Sequence, residues 1–298
     1  MRAQIALSSL VLAFVVLGCE PNEPAPKPSG SRWTEVERLV KAKDYPAAYA
    51  ALEAQVVAGK TDPDLVVRLA EVRRLQGEPI KAILVLREAL NADPASKSLY
   101  APLASLYLQV AQPAQAREVL EKARTAGYRT PELALLYGEM LGRSGELEPA
   151  LRAFDEALEL GAKRETVLYN RALVLGQLKR HDEAIQALED VVKSEPKWAA
   201  SRRELARAIL DSLPKERAPV ERALDILVAV KDEMPEDWRL HESIGDAWLL
   251  LGDYDAAVAA YTDALRHGKN PKQVEDRYRV AVTKQRERDS AAVPPPAK

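Results

Sequence analysis

Residues 237–271 read DWRLHESIGDAWLLLGDYDAAVAAYTDALRHGKNP. Two apolar stripes at helical spacing flank Leu251-Gly252-Asp253-Tyr254-Asp255, which has the composition of a tight turn. Gly245 and Trp248 lie on the first stripe, and Ala257, Tyr261, Ala264 and Leu265 on the second. The segment predicts two short helices joined by a turn.

Working outward, the local pattern of a turn residue, then an aromatic residue or proline, then alanine recurs along the chain. It places Ala48, Ala82, Ala116, Ala150, Ala184, Ala223 and Ala257 in register, at spacings of 34, 34, 34, 34, 39 and 34. The longer spacing contains residues 213–219, LPKERAP, whose two prolines mark a loop insertion of five residues. Leu86, Leu120, Phe154, Leu188, Leu227 and Tyr261 recur at a second position. Small residues recur at a third: Ala70, Ala104, Gly138, Ala172, Ala206 and Gly245. Small residues admit close helix crossings, and large ones fill the space between hairpins. One hairpin cannot bury enough surface alone, so stacking is compulsory.

This period and pattern resemble the tetratricopeptide repeat. Residues 166–198 carry a second clear copy, with Asn170-Arg171-Ala172, Asp182-Glu183-Ala184 and Pro196 at family positions. Pro94 and Pro235 hold the same terminal position in other copies. The resemblance implies an all-α fold, a right-handed superhelical solenoid of about seven helix-turn-helix repeats plus a C-terminal capping helix. The repeats fall at about 29–62, 63–96, 97–130, 131–164, 165–198, 199–237 and 238–271, within a solenoid spanning 32–271. Val274, Tyr278, Ala281 and Val282 form a helical stripe in the capping helix, 272–289, followed by a tail expected to be disordered at 290–298.

The N-terminus reads as an address. Residues 5–17, IALSSLVLAFVVL, form an apolar run too short to span a bilayer comfortably and suited to a secretory signal. It ends at Gly18-Cys19, which resembles the bacterial lipobox. The resemblance implies removal of residues 1–18 and lipid attachment to Cys19, with a membrane anchor as the result. Residues 19–31 then form a proline-rich tether. Glu20, rather than aspartate, follows the cysteine and favours the outer membrane, facing the periplasm.

Composition narrows the chemistry. Basic and acidic residues nearly balance, 43 against 45, which leaves no electrostatic footprint for nucleic acid. A single cysteine excludes an intrachain disulfide or a thiolate metal cluster. No HExxH, GxSxG, GxGxxG or phosphate-loop motif occurs, so no catalytic residue, metal or cofactor is expected beyond the lipid on Cys19. His181, His241 and His267 fall on different elements and read as surface or packing residues. Asp182-Glu183 sits at a helix start, where acids complement the helix dipole. Trp248 fits a core position, Trp198 and Trp238 fall at repeat junctions, and Trp33, beside the tether, is expected to be partly exposed.

Members of the resembled family bind partners in a groove lined by the first helix of each repeat. Carried onto this sequence, that groove contains Leu135, Glu139, Arg143, Tyr169, Leu173, Gln177, Arg203 and Arg207, flanked by Glu71, Arg74 and Gln109 and by Arg239, Glu242 and Asp246. Leu135, Tyr169 and Leu173 form an apolar patch within it, suited to a peptide anchor. The carboxylate clamp of chaperone-docking members is not evident, since only Asn170 of its set is present. The expected function is a membrane-anchored scaffold or assembly factor of the bacterial envelope. It would bind an envelope protein client of unknown identity, in the manner of pilotin-like lipoproteins. The alternatives are a structural subunit of a trans-envelope motility, pilus or secretion machine, and a regulator of peptidoglycan enzymes. Neither the client nor the oligomeric state is legible.

Overall fold

The computed structural model describes residues 33–56, 62–212, 216–268 and 272–291, and every regular element among them is helical. The signal, Cys19 and the tether lie outside the described residues, as does the end of the chain after Ala291. The helices group into two compact units, divided between Ala162 and Lys163.

The first unit holds four hairpins: α1 (Thr34–Lys41) with α2 (Tyr45–Glu53), α3 (Pro63–Leu75) with α4 (Pro79–Ala92), α5 (Tyr100–Gln109) with α6 (Pro113–Thr125), and α7 (Pro131–Arg143) with α8 (Leu147–Glu159). A single 3-10 turn, Lys97–Leu99, leads into α5. Trp33 belongs to the core here. It is 7% exposed, packed with Val36, Leu52 and Leu69, and the Arg68 guanidinium lies 4.6 Å above its ring. The expectation that it would be partly exposed fails because α1 starts immediately after it and turns the indole inward.

The second unit holds three hairpins and a final helix: α9 (Arg164–Gln177) with α10 (His181–Ser194), α11 (Ala199–Asp211) with α12 (Arg217–Ala229), α13 (Trp238–Leu251) with α14 (Tyr254–His267), and α15 (Lys272–Ala291). Helix α15 packs on α14 and α13 through Val274 and Ala281, closing the last apolar face. It runs two residues into the stretch expected to be tail.

The recurring alanines are the crossing points. Each of the seven is at most 1% exposed. The large and small positions also match in volume. Phe154 and Tyr261, the two aromatic residues at the large position, face the two glycines at the small one. A Cβ added at Gly138 would lie 2.4 Å from the Phe154 ring, and one added at Gly245 would lie 2.6 Å from Tyr261. Where the large residue is leucine, as at 86, 120 and 188, its counterpart sixteen residues earlier is alanine.

The turn inside each hairpin has its own signature. Lys43, Gly77, Ala111, Gly145, Lys179 and Gly252 all have positive φ, between 58° and 80°. Their spacing repeats the period, and each of these six hairpins uses one left-handed residue to reverse direction. An L side chain in that conformation costs roughly 1–2 kcal/mol that glycine does not incur. Ala111→Gly, in a turn whose φ is already 58°, is expected to stabilise the first unit by about 1 kcal/mol. Thermal denaturation of the variant measures this.

The expected loop insertion, before the second helix of the sixth hairpin, is partly helical. The connection before α12 spans five residues, 212–216, against three, 178–180, before α10. The remaining extra length lies inside α12, whose first turn contains Ala218 and Pro219. Proline is tolerated there because first-turn N–H groups have no carbonyl partner within the helix. Only part of the 214–219 insertion is therefore loop.

Candidate partner-binding surface

The inward positions of the first helices are more enclosed than their sequence suggests. In the first unit, Leu135 and Arg143 on α7 are half-buried, while Glu139 is only 6% exposed. Arg143 reaches back one repeat and donates through Nη1 to the Leu108 carbonyl of α5. On α3, Arg74 forks onto Glu71 at 2.8 and 2.6 Å. Away from these positions, Arg124 and Arg129 converge on Glu156, the closest contact being 2.6 Å.

The second unit concentrates the charge. Tyr169 and Leu173 on α9 are 1% and 3% exposed, and the Tyr169 ring packs against Trp198 with centroids 4.7 Å apart. Burial pushes the Tyr169 hydroxyl pKa well above its usual value, so it stays neutral. On α11, Arg203 is itself buried. It donates to Glu204 at 2.7 Å and to Asp237 at the start of α13, one repeat further on. Arg207 grips Glu204 at 2.8 Å and Asp211 at 2.7 Å. Burial alone would raise the Glu204 pKa, but Arg207 and Arg203 outweigh it and hold the carboxyl below the usual range. The chain of contacts resumes on α13. Tyr261 donates to Asp246 at 2.6 Å, Arg277 of α15 pairs with the same carboxylate, and Glu242 lies 3.7 Å from Arg277.

The expected groove is thus corrected at four positions. Tyr169, Leu173, Glu139 and Arg203 are interior residues, so of the expected apolar patch only Leu135 stays reachable. The physical reason is the stacking itself, which turns these offsets toward the neighbouring repeat: Arg203 reaches Asp237, and Trp198 covers Tyr169. Leu135, Arg143, Gln177 and Arg207 remain half-buried and reachable. In the second unit the accessible strip is therefore mainly charged, made of Arg207, Asp211, Arg239, Glu242, Asp246 and Arg277, with exposed Leu250 one repeat beyond Asp211. Asp211 and Arg277 lie outside the groove expected from sequence. The signal that could have found Arg277 is periodic: Asp246 and Arg277 are 31 residues apart, and Arg203 and Asp237 are 34 apart, close to the repeat length.

Burial pushes the Glu242 and Asp246 carboxyls above the usual range, and Arg277 offsets only part of that. A carboxyl with a raised folded pKa costs stability at neutral pH, and the cost disappears as pH falls through that value. Glu242→Gln is accordingly expected to raise the denaturation midpoint at pH 7, by less than about 1 kcal/mol, with the gain vanishing at acid pH. Unfolding curves at both pH values check it.

The histidines do not form a site, although two of them meet. His241 is 3% exposed and its Nε2–H donates to the Pro235 carbonyl at 2.9 Å. The His267 ring stacks on it with centroids 5.7 Å apart. Among the described residues, no group of three or more His, Cys, Asp or Glu side chains is arranged to hold a metal ion.

Comparison with known proteins places this architecture. Residues 102–165 and 221–273 match a family model described as tetratricopeptide repeat, and residues 165–197 match a second model with the same description. The chain is a tetratricopeptide-repeat protein. Among curated relatives, its repeats are 33% identical over 141 residues to the BBSome complex member bbs-4 of Caenorhabditis elegans. The match covers 43% of this chain, which spans only 29% of that relative's length. Among solved structures, a tetratricopeptide repeat protein from Parabacteroides merdae matches with a TM-score of 0.65 at 17% identity, covering 84% of this chain and 97% of that one. Pseudomonas aeruginosa pilF matches with a TM-score of 0.59 at 22% identity, over 74% and 97% of the two chains. PilW, described as a widely conserved type IV pilus biogenesis factor, matches with a TM-score of 0.62 at 16% identity, over 72% and 99%. At these identities the likeness is one of tetratricopeptide fold.

Proposed function

We propose that this tetratricopeptide-repeat protein is a lipid-anchored interaction scaffold of the bacterial envelope. It holds a client segment against the polar strip of α11, α13 and α15. The observation that carries the reading is the strip itself: partly exposed charges on successive helices, largely paired with one another, with exposed Leu250 on α13 one repeat beyond Asp211. A client binds there by exchanging ion-pair partners, which favours specificity and salt-sensitive association over high affinity. The lipobox-like Gly18-Cys19 supports the anchor. No described helix is long and apolar enough to cross a membrane. The fold shared with pilF and PilW supports a client from a pilus or related envelope assembly.

Charge reversal tests the strip. Full-length protein is purified from its native membrane as wild type, Arg207→Glu, or Glu183→Lys on the outer side of α10. The wild type and Glu183→Lys are expected to retain the same envelope protein, and Arg207→Glu to lose it at least tenfold at low salt, a gap that narrows as salt is raised. Equal recovery by all three would contradict binding at the strip.

A further inference from the structure

The outer faces of the second helices change character along the chain. In the period's register, two outward positions fall at Pro46 and Ala50 on α2, Ile80 and Leu84 on α4, and Ala114 and Glu118 on α6. Next come Glu148 and Arg152 on α8, then Asp182 and Gln186 on α10. The first hairpins are therefore apolar where the later ones are charged or polar. Pro46, Ala50, Ile80 and Leu84 are all exposed, Ile80 by 54% and Leu84 by 38%, and none of these four carries a charge. Tyr49 of α2 and Val85 of α4 border the same core cluster.

Exposed leucine and isoleucine at helical spacing on a folded surface call for a covering partner. The chain suggests which one. Cys19 lies fourteen residues before Trp33, the first described residue. Even fully extended, that connection reaches only about 50 Å. A lipid on Cys19 thus confines the first two hairpins to the neighbourhood of a bilayer, at an effective concentration where weak apolar contact suffices. Lys81, paired with Glu78 at 2.7 Å, and Arg87 flank the patch on α4, with stems able to lie along a membrane surface while their charges stay wet.

We infer that the outer face of α2 and α4, centred on Ile80 and Leu84, rests on the lipid surface of the membrane that holds the anchor. The inference depends on the anchor proposed above. Its consequence is orientation: the first hairpins lie against the bilayer by a face rather than hanging freely from the connection.

The test uses full-length lipidated protein in vesicles of mixed zwitterionic and anionic phospholipid containing a bilayer-resident quencher. Cys19 is the chain's only cysteine and is blocked by the lipid, so one introduced thiol takes the fluorophore. One variant is Arg87→Cys, a turn beyond Leu84 on α4. The control is Thr262→Cys, at the same register on α14. Quenching at position 87 is expected to exceed that at 262 several-fold, and Ile80→Asp with Leu84→Asp is expected to abolish the excess. Vesicle flotation is read in parallel. If the protein floats but the two positions are quenched equally, the face does not meet lipid and the inference fails while the anchor stands. If the protein does not float, the anchor fails and takes this inference with it. Energy transfer between position-87 labels on separate chains, without quenching, would assign the face to a second copy instead and likewise overturn it.

Discussion

Arg203→Met is expected to cost the second unit about 3–5 kcal/mol, although Arg203 was first expected at an open surface. The side chain is buried, and its removal leaves Asp237 without the guanidinium that spans from one repeat to the next, and Glu204 with Arg207 alone. Arg203→Lys should recover less than half of the loss, because an ammonium cannot fork between two carboxylates. The pH dependence carries a definite sign. Glu204 has a folded pKa below its unfolded one, so its contribution is present above the unfolded carboxylate pKa and is lost as pH falls through the folded value. The Arg203→Met penalty should therefore be largest near neutrality and shrink in acid. Tryptophan emission during denaturant unfolding reports it selectively, since Trp198, Trp238 and Trp248 all lie in the second unit and only Trp33 lies in the first. An Arg203→Met variant as stable as wild type would show that the buried pair is not a clasp between repeats.

The second large effect reverses sign with its background. Gly138→Ala places a methyl group 2.4 Å from the Phe154 ring, an overpacking worth about 1–3 kcal/mol of destabilisation. Alanine in mid-helix otherwise gains roughly 0.5–1 kcal/mol over glycine. In a Phe154→Leu background the ring is gone, so the same substitution should stabilise by filling the space and by propensity together. The pairs Ala104 with Leu120 and Ala172 with Leu188 already embody that combination in this chain. A double-mutant cycle in denaturant measures the coupling. Additive effects would mean that the glycine and the ring are not volume partners.

These two sites mark how far the sequence could be read. The period of 34, with alanine at its crossing points and large residues between hairpins, was legible because close packing imposes residue size directly. The left-handed turn at Gly77, Gly145 and Gly252 was present at the same period, but it is obscured where Lys43, Ala111 and Lys179 stand in for glycine. The binding surface was harder to read. Tyr169 and Leu173 resemble groove anchors because apolar side chains look the same whether they await a peptide or are buried, as Tyr169 is against Trp198. Charge misled similarly at Arg203, whose buried partner Asp237 is adjacent only after the repeats stack. Linear patterns report what each helix needs from its own hairpin, whereas exposure depends on the neighbouring one.

The scaffold account is tested most directly by photocrosslinking in the native membrane, with a photoreactive residue at position 207 on the inner strip or at position 183 on the outer side of α10. The account predicts that the probe at 207 captures one envelope protein, that the probe at 183 does not, and that capture at 207 falls as salt is raised. Capture from 183 with none from 207 would contradict it, placing the contact on the outer faces and leaving the inner charges with a purely structural role.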